Sequence, residues 1–239
     1  MMEPVVDPER VARVAARLAD SDGGHKRLCV ACAAVVGVAG AGIVLMSRGQ
    51  ALGTVCVSDP VTEAVEDAQY TLGEGPCVEA YRTRSPVLAP DLSEGDRWPS
   101  FRNGAQAAGV HAAFGFPLLI GQVCLGALNL YHVHVGALTA EQVADAVTVA
   151  HIAGRTVLGW QSVAGPQSLA WQLEQVPAHR AAVHQATGMV SVQTAIPIDD
   201  ALVLLRAYAF AEDRGINLVA EDVVARRLRF DGPPGPPES

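Results

Sequence analysis

HAAFGFPLLIGQVCLGALNLYH, residues 111–132, decides the fold. It holds two apolar runs hinged at Gly121-Gln122, and no Asp, Glu, Lys or Arg occurs between Arg102 and Glu141. Strands so poor in charge belong at the centre of a sheet, with helices or loops on both faces. Working outward, GIVLMS (42–47) and TVCVS (54–58) are β-rich runs separated by Arg48–Gly53, the pattern of a hairpin. PVLAPDL (86–92) reads as a short strand closed by Pro90. Helical spacing covers Pro8–Asp20, with Val11, Val14 and Leu18 on one stripe, and His25–Val36. Pro60–Gln69 is a short acidic helix, Gly73-Glu74-Gly75-Pro76 launches another with proline in its first turn, and Phe101–Ala108 is a third. Thr139 caps a long helix with Glu141 in its first turn; it runs to about Trp160 and presents Val143, Val147, His151 and Leu158. The implied class is α+β, an antiparallel sheet with helices against it.

The chain has 239 residues, half of them apolar, enough to bury a core in each of two domains of roughly 75 to 160 residues. Its formal charge is −8. From Gly165 on, six Lys/Arg face nine Asp/Glu, which counts against a non-specific nucleic-acid binder but leaves room for recognition by a few local arginines. The five cysteines (Cys29, Cys32, Cys56, Cys77, Cys124) form no even framework and sit among apolar residues, which reads as buried free thiols in a reducing compartment. Leu28–Met46 is uncharged for nineteen residues, but GVAGAG interrupts it, so a helix followed by a strand explains it better than a membrane span. The N-terminus lacks the layout of a signal peptide. The expectation is a soluble cytoplasmic protein with no membrane partner.

Gly165-Pro166 makes a break. Gln167–Val176 places Leu169, Leu173 and Val176 at coiled-coil-like spacing, and the count continues through Arg180, Val183, Thr187 and Val190, which suits a dimer helix kinked or restarted at Pro177. HRAAVHQATGMVSVQ (179–193) is the next helical piece, ended by Ile196-Pro197. Asp199 is then read as the cap of a helix through Asp213, Gly215 as its terminator, and Asn217 as the cap of a last helix to about Arg229. The tail DGPPGPPES has nothing to bury and reads as disordered.

LGEGPCVEAYRTRSPVLAPDL (72–92), RWPSF (97–101) and FGFPLLIGQVCLGALNLY (114–131) resemble, in order and spacing, a bacterial GAF domain, a sensor fold. HRAAVHQATGMVSVQ, DDALVLLRAYAFAEDRG and LVAEDVVARRL resemble the three helices of an ANTAR domain, an RNA-binding module of bacterial antiterminators. The resemblance implies a GAF-like antiparallel sheet flanked by helices, joined through a long helix to a three-helix ANTAR-like domain. The divisions are residues 1–24 (N-terminal helix), 25–160 (sensor), 161–176 (helical linker and dimer coiled coil), 177–229 (RNA-binding domain) and 230–239 (tail). It further implies a homodimer that binds paired RNA stem-loops, holding them against a competing transcription terminator. The sensor would tune that activity in response to an unknown signal, such as a small-molecule ligand. No receiver domain is recognised in this sequence, so direct ligand sensing or constitutive binding takes its place.

RNA loops are recognised through unstacked bases, which need hydrogen-bonding groups and a stacking plane. Arg180, His184, Gln185 and Thr187 supply such groups on one helix, and Gly188 lets a base or backbone come close. Arg206 and Tyr208 offer a guanidinium and a ring on the next. The alternatives are that Gly188 serves close helix packing and that Tyr208 belongs to the core. Arg226, Arg227 and Arg229 suit either a phosphate site or the negative end of the last helix, with Asp222 pairing to Arg226 at i, i+4. Cys77, at a helix N-terminus, is the candidate redox sensor, with a packed small residue as the default. Cys29-x-x-Cys32 lacks the second pair that zinc needs, and His132-x-His134 reads as a solvated strand end. Glu74, Asp91 and Asp96 form no acid–base pair with His111, and no nucleophilic triad, Walker A loop or dinucleotide fingerprint is found. The expectation is a regulator that is not an enzyme and carries no cofactor or metal. The alternative is a GAF-fold reductase of free methionine sulfoxide, or a redox sensor, using Cys77 and Cys124. A helix-turn-helix DNA reader fits poorly, because Leu218, Val219, Ala220, Glu221 and Asp222 would face the groove.

Overall fold

Five strands, β1 (Gly40–Ser47), β2 (Gln50–Val57), β3 (Val87–Ala89), β4 (Ala112–Ile120) and β5 (Val123–His132), form one sheet in the order β2-β1-β5-β4-β3. Every neighbouring pair is antiparallel. The charge-free stretch becomes the β4–β5 hairpin, paired from Ala112 opposite His132 to Ile120 opposite Val123. β5 takes the central position, as its composition requires. The computed structural model describes residues 7–19, 25–47, 50–164, 178–212 and 214–230.

Alternation along the strands divides the side chains between two faces. Ala41, Ile43 and Leu45 of β1, Phe114, Phe116 and Leu118 of β4, and Leu128 and Leu130 of β5 share one core with α2 (His25–Val36) and α6 (Ala140–Ala164). The opposite face, including Val44, Met46, Ala113, Ala127 and Tyr131, meets α3 (Pro60–Leu72), α4 (Pro76–Thr83) and α5 (Pro99–Ala107). The result is three layers, helices on both sides of an antiparallel sheet. α1 (Pro8–Ala19) is not a separate N-terminal piece: Val14 and Leu18 enter the first core, and Arg10 and Arg13 pair with Asp145 of α6.

The cysteines depart from expectation. Cys29 of α2 and Cys56 of β2 form a disulfide, with Cα atoms 5.8 Å apart, while Cys32, Cys77 and Cys124 are free. The bond ties the helical layer to an edge strand, a contact between residues 27 apart that no local pattern announces. Leu28–Met46 divides into α2 and β1, and among the described residues no single helix is long and apolar enough to cross a membrane.

Contacts group residues 1–172 and 173–239 into two units. The second contains α7 (Ala178–Thr194), α8 (Ile198–Ala211) and α9 (Ile216–Val224). Val183, Ala186 and Val190, Ala201, Leu202, Leu205 and Ala209, and Ile216, Val219, Ala220 and Val223 form its interior. Three boundaries move. α8 starts after Pro197 as N-cap and carries Asp199 and Asp200 in its first turn, where they complement the helix dipole rather than cap it. α9 begins after Gly215, so Asn217 lies inside the helix, and it stops at Val224 rather than near Arg229. Phe230, assigned to the tail, is held by its N–H donating to Gln193 Oε1 at 2.8 Å. The proposed helix at Gln167–Val176, the breaks at Gly165-Pro166 and Pro177, and the tail after Phe230 lie outside the described residues.

Alkylating the protein unfolded without reductant is expected to label three of its five cysteines, and all five after reduction, read as mass shifts. Cys56→Ser is expected to lower the unfolding free energy by about 2–4 kcal/mol under non-reducing conditions.

Candidate functional site

The interior of the sensor unit is polar where α3 meets the sheet. Asp59 caps α3 by accepting from Thr62 N at 2.9 Å. The helix then buries Thr62, Glu66 and Gln69 along one stripe. The Glu66 carboxylate accepts from Asn129 Nδ2 at 2.8 and 3.0 Å and from the Tyr131 hydroxyl at 3.0 Å. Gln69 Nε2 donates to the Tyr131 oxygen at 2.8 Å, and Gln69 Oε1 accepts the Cys77 N–H at 2.9 Å. This amide replaces a side-chain cap at α4, whose N-cap is Gly75. Gly42 of β1 makes the arrangement possible, since a Cβ there would collide with the Glu66 carboxylate. Among the described residues Asn129 Oδ1 is buried without a hydrogen-bond partner.

Cys77 lies in this cluster, buried, with its thiol 3.7 Å from Met46 Sδ. Burial first, and the charge of Glu66 second, push its pKa up, so the thiol is held protonated. Cys77 thus sits as a packed small residue rather than an activated thiol: desolvation outweighs the helix N-terminus, and Gln69 takes the Cys77 N–H. Cys32 is likewise pushed up to about 12 by burial. Glu74 has a structural role that the sequence did not reveal: its carboxylate accepts from Ser100 N and Phe101 N at 2.9 Å and caps α5. Among the described residues no group of three or more His, Cys, Asp or Glu side chains is placed to hold a metal.

In the second unit the sequence-predicted residues separate. Gln185 and Gly188 line a groove of about 470 Å³ with Met189, Gln193, Arg226 and Arg229. His184 is exposed on α7, and Arg206 is half-buried on α8. Arg180 falls within α7, its side chain outside the described residues. Thr187 faces inward, its hydroxyl donating to Val183 O at 2.7 Å, so it does not serve as a recognition group. The Tyr208 ring sits edge-on to Phe230, centroids 5.2 Å apart, and pins the chain after α9. Asp222 pairs with Arg214 and Arg227 at 2.6 and 2.7 Å, not with Arg226. Arg214, then Arg227, hold its carboxyl below the usual range. The three arginines therefore divide: Arg227 fixes the turn, while Arg226 and Arg229 line the groove.

Burial also pushes the Tyr131 hydroxyl up, reinforced by the charge of Glu66. In the unfolded chain Cys77 and Tyr131 ionise near their ordinary values of 9.0 and 10.0, whereas the fold keeps both neutral. The stability they contribute is therefore complete below about pH 9 and is lost as pH rises further. Urea unfolding of the sensor between pH 7 and 11 is expected to show a constant midpoint to about pH 9 and a decline above it, shallower in Cys77→Ala.

Among curated proteins none matches the sequence. The fold is similar to the GAF domain of an Acinetobacter phosphoenolpyruvate-protein phosphotransferase, at 13% identity and TM-score 0.50, covering 68% of this chain and 98% of that one. The corresponding domain from Coxiella burnetii is 13% identical with TM-score 0.49, covering 63% and 92%. A type II free methionine-R-sulfoxide reductase from Thermoplasma acidophilum is 12% identical with TM-score 0.41, covering 62% and 94%. At such identity the Acinetobacter match speaks to fold alone. Residues 26–157 match the model of the GAF domain family, and the chain belongs to that family of signal-sensing domains.

Proposed function

We propose that this protein is an RNA-binding antitermination regulator whose GAF domain senses a signal and whose three-helix module holds stem-loops of a nascent transcript. The observation that carries the proposal is the groove on that module, where Gln185 and Gly188 of α7 face Arg226 and Arg229 beyond α9. Amides and guanidinium groups around an open floor are what unstacked loop nucleotides require. The order of α7, α8 and α9 agrees with the resemblance of their sequences to an ANTAR domain. A homodimer is part of the proposal. Val203 and Phe210 are exposed on α8 seven residues apart, a stripe suited to a second copy. Two modules engaging adjacent stem-loops raise each other's effective concentration, so individually weak contacts give useful affinity. The reductase alternative has little support from the cysteines, because Cys77 is buried and protonated and the Cys124 thiol is also raised by burial.

Gel-shift titration with a transcript bearing two adjacent stem-loops of six-nucleotide loops is the test. Binding is expected for the tandem RNA, weaker for a single stem-loop and absent for duplex DNA. Replacing His184, Gln185 and Arg206 together by Ala is expected to weaken binding by at least about 2 kcal/mol, as lost hydrogen bonds to bases and phosphates would. Equal affinity for duplex DNA, or none for RNA, would overturn the proposal.

A further inference from the structure

Two positions on the three-helix module break local backbone preference in opposite senses. Gly188 lies in the interior of α7, where glycine weakens a helix by about 0.8–1.0 kcal/mol relative to alanine. Close packing is the usual reason to keep such a glycine, but a Cβ there would meet nothing within 4 Å among the described residues. Arg226 presents the converse case. It follows the C-cap Ala225 of α9 with φ 61°, the left-handed position that helix ends normally give to glycine. Its N–H donates to Val223 O, and the N–H of Arg227 to Asp222 O, which closes the helix end around it. A side chain is missing where the helix would favour one, and present where the turn would favour none. Both positions open onto the same groove.

We infer that this groove is a site for one extruded nucleotide of an RNA loop, with its base over Gly188 and its flanking phosphates on Arg226 and Arg229. The inference rests on the RNA-binding proposal and specifies the site within it. The space over Gly188 is where a planar ring approaches the helix, with Met189 and Val192 as apolar neighbours and the Gln185 amide at the rim. The volume, about 470 Å³, falls within the roughly 300–1,000 Å³ of ordinary small-ligand pockets and is more than a lone phosphate needs. The opposite wall is tied by contacts: Gln193 accepts the Phe230 N–H, Tyr208 abuts Phe230, and Asp222 pairs with Arg227. Arg226 forms no ion pair among the described residues, and in an otherwise acidic module its charge is placed to meet an anion.

Gly188→Ala and Arg226→Gly separate binding from folding, because each follows the local backbone preference. Arg229→Gln, a change at an exposed side chain, provides a third probe. All three are made in the full-length chain and titrated with the tandem stem-loop RNA at several salt concentrations, alongside thermal unfolding. Gly188→Ala is expected to weaken binding about tenfold, as loss of one stacked base does. The two arginine variants combined are expected to flatten the slope of log affinity against log salt by about 1.4, two single-strand phosphate contacts at roughly 0.7 each. Unfolding midpoints of Gly188→Ala and Arg226→Gly are expected to stay or rise. RNA affinity and salt slope unchanged in all three variants would overturn the groove assignment and leave the RNA-binding proposal standing. No RNA binding by the unsubstituted protein would overturn both.

Discussion

The carboxylate of Glu66 sits inside the sensor, between α3 and the sheet, and the packing of that half of the molecule follows from keeping it there. A buried carboxylate without donors would cost several kcal/mol, so Asn129 and Tyr131 of β5 must point toward it. Gln69 links that pair to the start of α4, so one network sets the register of two helices against the central strand. Gly42 clears the path on β1. The same network gives Cys77 a desolvated setting in which its thiol stays protonated.

Much of the sensor was legible because its strands are covered on both faces. The absence of charge from Arg102 to Glu141 marked β4 and β5 as central, and Gly121 marked their turn. Proline at the first turn of α4 and Thr139 before α6 gave reliable starts. What could not be read depends on contacts distant in sequence. Cys29 and Cys56 look like isolated apolar thiols until α2 is laid on β2. Glu66 resembles one more acid on an acidic helix until Asn129 and Tyr131 are brought beneath it. Glu74 looks like a loop acid until α5 arrives with two uncapped N–H groups.

The three-helix module was legible as three helices, but not in the details that matter for recognition. Thr187 has the right chemistry and the wrong face, because helical spacing alone does not say which stripe is buried. Tyr208 is a ring that could stack on a base, and its edge contact with Phe230 was hidden because Phe230 lies in a segment read as tail. The Asp222–Arg226 pairing at i, i+4 assumed that α9 continues; the chain reverses at Arg226, and Arg227 reaches Asp222 instead. That reversal brings Arg226 and Arg229 to the groove beside Gln185 and Gly188, joining residues about forty apart in sequence.

The proposed function places RNA recognition on the C-terminal module and its groove. Hydrogen-exchange mass spectrometry of the full-length protein, with and without the tandem stem-loop RNA, locates the bound RNA. We expect slower exchange in peptides covering residues 184–193 and 225–230, with the sheet of the sensor unaffected. RNA-dependent protection confined to the sensor, or none in the C-terminal module at saturating RNA, would overturn that placement.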